Sequence, residues 1–178
     1  MENKYNLAIL PSESLIELMK GMKDELALQV GRFSSKNSVG HITICNFKAN
    51  DEELVSIKNK LQHLSNSVEP FEVRLNGYGT FPNGAFFIST DENSKEKLVP
   101  IMIQFQESLY PRELQISTDP HLSIARRLSP QKLETAKQLF TEINETFLCD
   151  SVVLRKFDTK IRQYFVSDTF TFRSNHNT

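Results

Sequence analysis

His41-Ile42-Thr43-Ile44 and His121-Leu122-Ser123-Ile124 are near-copies, the second beginning 80 residues after the first. In an extended strand successive side chains point to opposite faces, so each tetrad presents its histidine and hydroxyl residue on one side and two aliphatic residues on the other. The aliphatic side anchors in a core and leaves the polar side available. Set side by side, two such strands bring two imidazoles and two hydroxyls into one small volume. That set of groups suits acid-base chemistry at a phosphate.

The flanking sequence repeats with the same offset. Tyr5 to Leu10 is a strand candidate closed by Pro11, followed by a helix capped at Ser12 or Ser14 with Leu15, Leu18, Met19, Met22 and Leu26 on one face. The polar, glycine-bounded loop Gly31 to Gly40 leads into the first tetrad, and a turn at Asn50-Asp51 opens a second helix through Leu54, Ile57, Leu61 and Leu64. Phe71 to Leu75 alternates as a half-buried strand, Gly77 to Gly84 is rich in turn residues, and Ala85 to Ser89 reads as the next strand. A third helix carries Leu98, Ile101, Met102, Phe105 and Leu109; Pro100 implies that it starts after Ser94 or bends. Tyr110 to Pro120 reads as a second irregular loop. Ser129-Pro130 starts a fourth helix predicted to run to Phe147, and Ser151 to Phe157 and Gln163 to Phe172 are closing strands before a frayed end.

Shifting by 80 residues lays Tyr5 on Ala85, Leu18 on Leu98, His41 on His121 and Val73 on Val153. The order is β-α-β-α-β twice with one extra strand. This predicts an α+β, bilobal, internally duplicated fold with pseudo-twofold symmetry and a central cleft, a single domain over 1–178 with repeats of about 1–80 and 81–172. The loops before the tetrads, with Arg32 and Lys36 in one and Arg112 in the other, are expected to overhang the cleft.

Composition bounds the partners. The 178 residues hold 39% hydrophobic and 24% charged side chains with a net charge of −1, so no global basic field marks the chain for a polyanion and any such contact must be local. The opening residues lack a signal-peptide layout, no apolar run is long enough for a bilayer, and Cys45 and Cys149 have no CxxC spacing. The expected setting is cytoplasmic and off the membrane, with a monomer favoured.

An unperturbed imidazole titrates near about 6.5, so one histidine can be neutral while the other carries a proton. One then takes the proton of an attacking water or hydroxyl and the other protonates the departing oxygen, while Thr43 and Ser123 donate hydrogen bonds to the non-bridging oxygens. The paired H-x-[T/S]-x motifs, HITI and PHLSIAR, resemble those of the two-histidine (2H) phosphoesterase superfamily, in its 2′-5′ RNA ligase and RNA 2′,3′-cyclic phosphodiesterase branch. The Phe81-Pro82 pair after a glycine-rich stretch and the terminal strand pair fit the same resemblance, which spans nearly the full length. It implies a phosphodiesterase without metal or other cofactor, acting on a 2′,3′-cyclic phosphate or 2′-5′ linkage at an RNA end or cyclic nucleotide, with ligation as a side reaction. By position, His41 is implied as proton donor and His121 as acceptor in hydrolysis, the roles exchanging in the reverse reaction, and Thr43 and Ser123 as phosphate-binding.

Arg126 and Arg127 both follow the second tetrad. Strict alternation puts Arg127 on the His121 face, whereas the family pattern points to Arg126. Tyr78, Phe81, Tyr164 and Phe165 are candidates for stacking on a base, though core packing is the commoner use of such rings. The basic cluster Arg155, Lys156, Lys160 and Arg162 could guide an RNA end, and a metal centre of both histidines with Asp119 lacks convincing ligand spacing. His63 and His176 read as bystanders. The competing functions are a nucleotide- or RNA-binding module without turnover and a phosphoesterase for a non-nucleotide cyclic phosphate.

Overall fold

The computed structural model describes residues 1–173. Nine strands and four helices follow in the order β1 (Asn3–Ile9), α1 (Glu13–Val30), β2 (Ile42–Ala49), α2 (Asp51–Ser65), β3 (Phe71–Thr80), β4 (Phe86–Thr90), α3 (Glu92–Ser108), β5 (Arg112–Ile116), β6 (His121–Ala125), α4 (Pro130–Leu139), β7 (Glu145–Cys149), β8 (Ser151–Asp158) and β9 (Gln163–Thr171). Helix starts follow local chemistry. The Ser12, Asn50, Asp91 and Ser129 side chains each accept a hydrogen bond from a first-turn amide, and Asn50 forms a reciprocal capping box with Glu53.

All strand pairings are antiparallel, in one sheet ordered β7-β3-β4-β6-β2-β1-β8-β9, with β5 pairing further along β2 on the same side as β6. Around the β6–β2 junction the order is symmetric: β4 and β3 lie beyond β6 as β1 and β8 lie beyond β2. The halves of the sheet do not coincide with the two repeats, because β3 of the first pairs with β4 of the second and β8 of the second pairs with β1 of the first. Helices cross over likewise: α1 packs against β6 and α4, and α3 against β2 and α2.

Ile42, Ile44, Leu122 and Ile124 are fully buried on the side away from the histidines. Each such side chain contributes about 1.5–3 kcal/mol by leaving water, which fixes which face of the tetrads looks outward.

Matched bulges then reset the alternation in both central strands. The partner of β2 steps from Leu7↔Cys45 to Ala8↔Thr43, skipping Ile44; the partner of β6 steps from Phe86↔Ala125 to Phe87↔Ser123, skipping Ile124. The Ile44 carbonyl released from the ladder accepts from the Ser117 amide at 3.0 Å and from Gln106 Nε2 on α3 at 2.9 Å.

Several expectations need correction. The fourth helix stops at Leu139, and Phe147 belongs to β7, buried at a strand rather than a helical period. The stretch read as an irregular loop contains β5. The third helix begins at Glu92, and Pro100 sits inside it at an exposed position, where water can satisfy the carbonyl it leaves unbonded. Leu18 is exposed, the buried face of α1 running instead through Leu15, Met19, Met22, Lys23 and Leu26. The constant shift of 80 holds for β2 and β6 only. By sheet position Ala8 corresponds to Phe87, and Val153 corresponds to Gly79 rather than to Val73. The predicted frayed end, including His176, lies outside the described residues except for Arg173.

Gly84 turns the β3–β4 hairpin with φ of +84°, donates to the Phe81 carbonyl and accepts from the Leu128 amide at 3.0 Å. A Cβ there would run into the Leu128 backbone. Gly84→Ala is therefore expected to destabilise the fold by roughly 1–3 kcal/mol, seen as a lower urea midpoint at unchanged slope.

Candidate active site

The centre of the site follows from one register. Ile42 pairs antiparallel with Leu122, which sets His41 across from Ser123 and Thr43 across from His121 on the common face. The two histidines are held alike. Nδ1 of His41 is 2.7 Å from the Val39 carbonyl, and Nδ1 of His121 is 2.7 Å from the Asp119 carbonyl. A carbonyl can only accept, so each Nδ1 carries a proton and each Nε2 is left to exchange one with a ligand. The Asp119 carboxylate turns away to Lys95, 3.2 Å distant, so it is not arranged as a third metal ligand. Among the described residues no three His, Cys, Asp or Glu side chains gather as a metal site.

On one side His121 meets an aromatic wall. The Phe81 ring stands edge-on to His121 at 5.0 Å, and Phe87 lies at 4.9 Å from it and 4.4 Å from Phe81. Phe87 can lie there because its partner across the hairpin is Gly79, where a Cβ would overlap the ring. This ties the glycine-rich stretch before Phe81 to the orientation of a histidine.

On the other side lies a cleft of about 530 Å³ that includes His41, Thr43, Asn46, Arg126, Arg155 and Tyr164 in its lining. The bulges account for two of these. After the extra residue the site face passes to Asn46 in β2 and to Arg126 just beyond β6, which is why Arg126 and not Arg127 borders the cleft. Arg127 instead takes a left-handed backbone with φ of 55°. The loop before the first tetrad crosses to the same place, pairing Ser34 with Arg126.

Along the cleft runs a polar row of which sequence reading named only Arg155. Asn6 pairs across the sheet with Asn46 on one side and Arg155 on the other. Its Nδ2 donates to Asn46 Oδ1 at 2.9 Å and to Thr43 Oγ1 at 3.4 Å, and its Oδ1 accepts from Arg155 Nη1 at 3.2 Å. Because Thr43 Oγ1 accepts there, its own proton remains for a ligand. Lys23 on α1, only 3% exposed, donates to the Ser35 and Ser38 carbonyls and so fastens the loop that carries Val39. The available signal was a lysine within the apolar face of a helix and an asparagine inside a strand.

Of the other candidates, Tyr78 is stacked on Phe86 at 5.4 Å in the core, Tyr164 reaches the cleft, and Phe165 does not. Arg155 and Arg162 border the cleft; Lys156 and Lys160 do not. Arg32 is exposed and Lys36 is tied to Asp24 at 2.9 Å. His63 is exposed on α2.

Electrostatics act strongly on His41. Burial first, then the Arg155 guanidinium, pushes His41 down to about 3; the Val39 hydrogen bond opposes this, and Arg126 and Lys23 add to it. Burial, with Arg126, Arg155 and Lys36, pushes the Lys23 ammonium down to about 8. The site is a cationic depression around a neutral His41.

The same architecture recurs in solved structures. TT0787 of Thermus thermophilus superimposes with a TM-score of 0.71 at 17% identity, covering 97% of this chain and 100% of that one. E. coli LigT complexed with 3′-AMP gives 0.67 at 11% identity over 98% and 100%, and Kluyveromyces marxianus Usb1 gives 0.59 at 13% over 96% and 98%. At these identities the likeness is one of fold. The sequence profile described as 2′-5′ RNA ligase superfamily matches residues 13–160, and the chain belongs to that superfamily. No curated protein matches it by sequence.

The depressed His41 value predicts a titration and its linkage to folding. Its folded value lies below the ordinary 6.5, so the unfolded chain binds the extra proton between about 6.5 and 3. The stability this neutral imidazole contributes is complete above about 6.5 and is lost as pH falls toward 3. Relative to His41→Asn, the wild type should lose thermal stability across that window. Arg155→Gln should raise the ring's titration point in NMR.

Proposed function

We propose that this protein is a metal-independent phosphodiesterase that opens 2′,3′-cyclic phosphates, or related 2′-5′ linkages, at RNA ends or nucleotides by two-histidine acid-base catalysis. The observation that carries this reading is the pairing of the tetrads about the sheet's pseudo-twofold axis, with the same Nδ1 hydrogen bond at each histidine. Two Nε2 atoms presented from opposite strands suit in-line displacement at a phosphorus between them.

Water attacks phosphorus as the bond to the 2′ or 3′ oxygen breaks. One neutral imidazole takes the water's proton at Nε2, and the other, protonated, gives its Nε2 proton to the departing oxygen. Thr43 and Ser123 donate to the non-bridging oxygens, and Arg126 neutralises their charge. The family resemblance makes His41 the donor and His121 the acceptor. The cations around His41 favour its neutral form and support the reversed assignment in the unliganded cleft, while a bound phosphate anion opposes those cations and raises its proton affinity. The substrate range follows the nucleotide-sized cleft, and LigT, a structural relative, has been solved with 3′-AMP and with phosphate.

His41→Ala and His121→Ala are each expected to lower hydrolysis of an RNA ending in a 2′,3′-cyclic phosphate by about 10²–10⁴-fold while 3′-AMP binding persists. The base variant should lack the acid limb of the pH–rate profile and the acid variant the alkaline limb, which assigns the two roles. A binding module would bind 3′-AMP and show no wild-type hydrolysis; turnover of cyclic phosphates lacking a base would favour a non-nucleotide substrate.

A further inference from the structure

Arg155 is only 4% exposed, yet its guanidinium borders the open cleft. A buried cation normally has a carboxylate beside it, because desolvation otherwise costs several kcal/mol. Here its hydrogen-bond partner is the neutral Asn6 amide oxygen at 3.2 Å, and its Cζ lies over the Tyr164 ring, 5.4 Å from the ring centre. Among the described residues no carboxylate forms an ion pair with it, and Arg126 is near enough to disfavour its charge further. Such a group, pre-oriented and uncompensated, is complementary to an anion entering the cleft.

Its position indicates which anion. Arg155, Asn6 and Asn46 form one row across the sheet, two residues along β1 from the row that holds Thr43, so the two rows lie about 7 Å apart. That is the scale of a ribose carrying phosphates at both its 3′ and 5′ positions. Phe157 and Tyr164, 5.0 Å apart, supply aromatic surface beside it, and Lys4 lies 5.8 Å above Phe157.

We propose that the Arg155–Asn6–Asn46 row is a second phosphate subsite, so that the preferred substrate carries a further phosphate one nucleoside away from the reacting one. This rests on the reading that the His41–His121 face takes the first phosphate. Terminal nucleotides of a chain, or 5′-phosphorylated nucleotides, have this property, and 5′-hydroxyl cyclic nucleotides lack it.

Calorimetric binding of adenosine 3′,5′-bisphosphate against 3′-AMP tests the proposal without turnover. Wild type should prefer the bisphosphate by about 10–100-fold, the range for a charge-assisted contact. Arg155→Gln should reduce that preference to within about threefold. Asn6→Asp, which leaves the arginine in place and gives it a carboxylate partner, should do the same and decides the matter if Arg155→Gln does not fold. Equal wild-type affinities, absence of binding to either nucleotide, or a preference that survives in a folded variant would overturn the subsite. A wild type that shows the preference but hydrolyses no cyclic phosphate would retire the catalytic reading and leave the subsite standing.

Discussion

Everything in this molecule depends on one antiparallel contact, that of Ile42 with Leu122. A slip of one residue in either strand would turn its imidazole inward and an isoleucine or leucine out to water. The register is held by the aliphatic residues of both tetrads, all fully buried, and by α1 and α3, which pack on the strands of the opposite half. The symmetric hydrogen bonds to the Val39 and Asp119 carbonyls then set both rings with the same edge outward. The geometry of the candidate site is a property of the core, read out on its reverse side.

Backbone symmetry does not extend to the side chains. Where one half has Phe87 lying over Gly79, the other has Ala8 beside Val153; where one has Arg126 after its bulge, the other has Asn46; where one has Ala85, the other has Asn6. One histidine is therefore propped by rings and the other is surrounded by cations. Two imidazoles presented alike by the backbone thus stand in different surroundings.

Much of this was legible in the chain. Helix caps, the central strands and the histidine pair follow from short-range rules, and a repeated tetrad is a long-range signal that local propensity lacks. The missing pieces share one cause: they depend on what a residue meets across the sheet. Phe147 satisfies a helical and a strand pattern alike until β3 supplies its partner. The choice of Arg126 over Arg127 cannot be settled by alternation, since the bulge that decides it lies in pairing with β4. Asn6 and Arg155 sit 149 residues apart and become a site only because β8 returns beside β1.

The exchange of outer strands between repeats has a consequence for any half-length version of the chain. A polypeptide ending after β3 would hold that strand with no β4 to receive it, and its β1 would offer an open edge where β8 belongs. Two such fragments could repair each other by trading those strands, restoring six central strands of the nine-stranded sheet with one histidine from each. The covalent joining of the halves thus replaces an encounter between molecules with one within a molecule, and frees each half to diverge in its own direction.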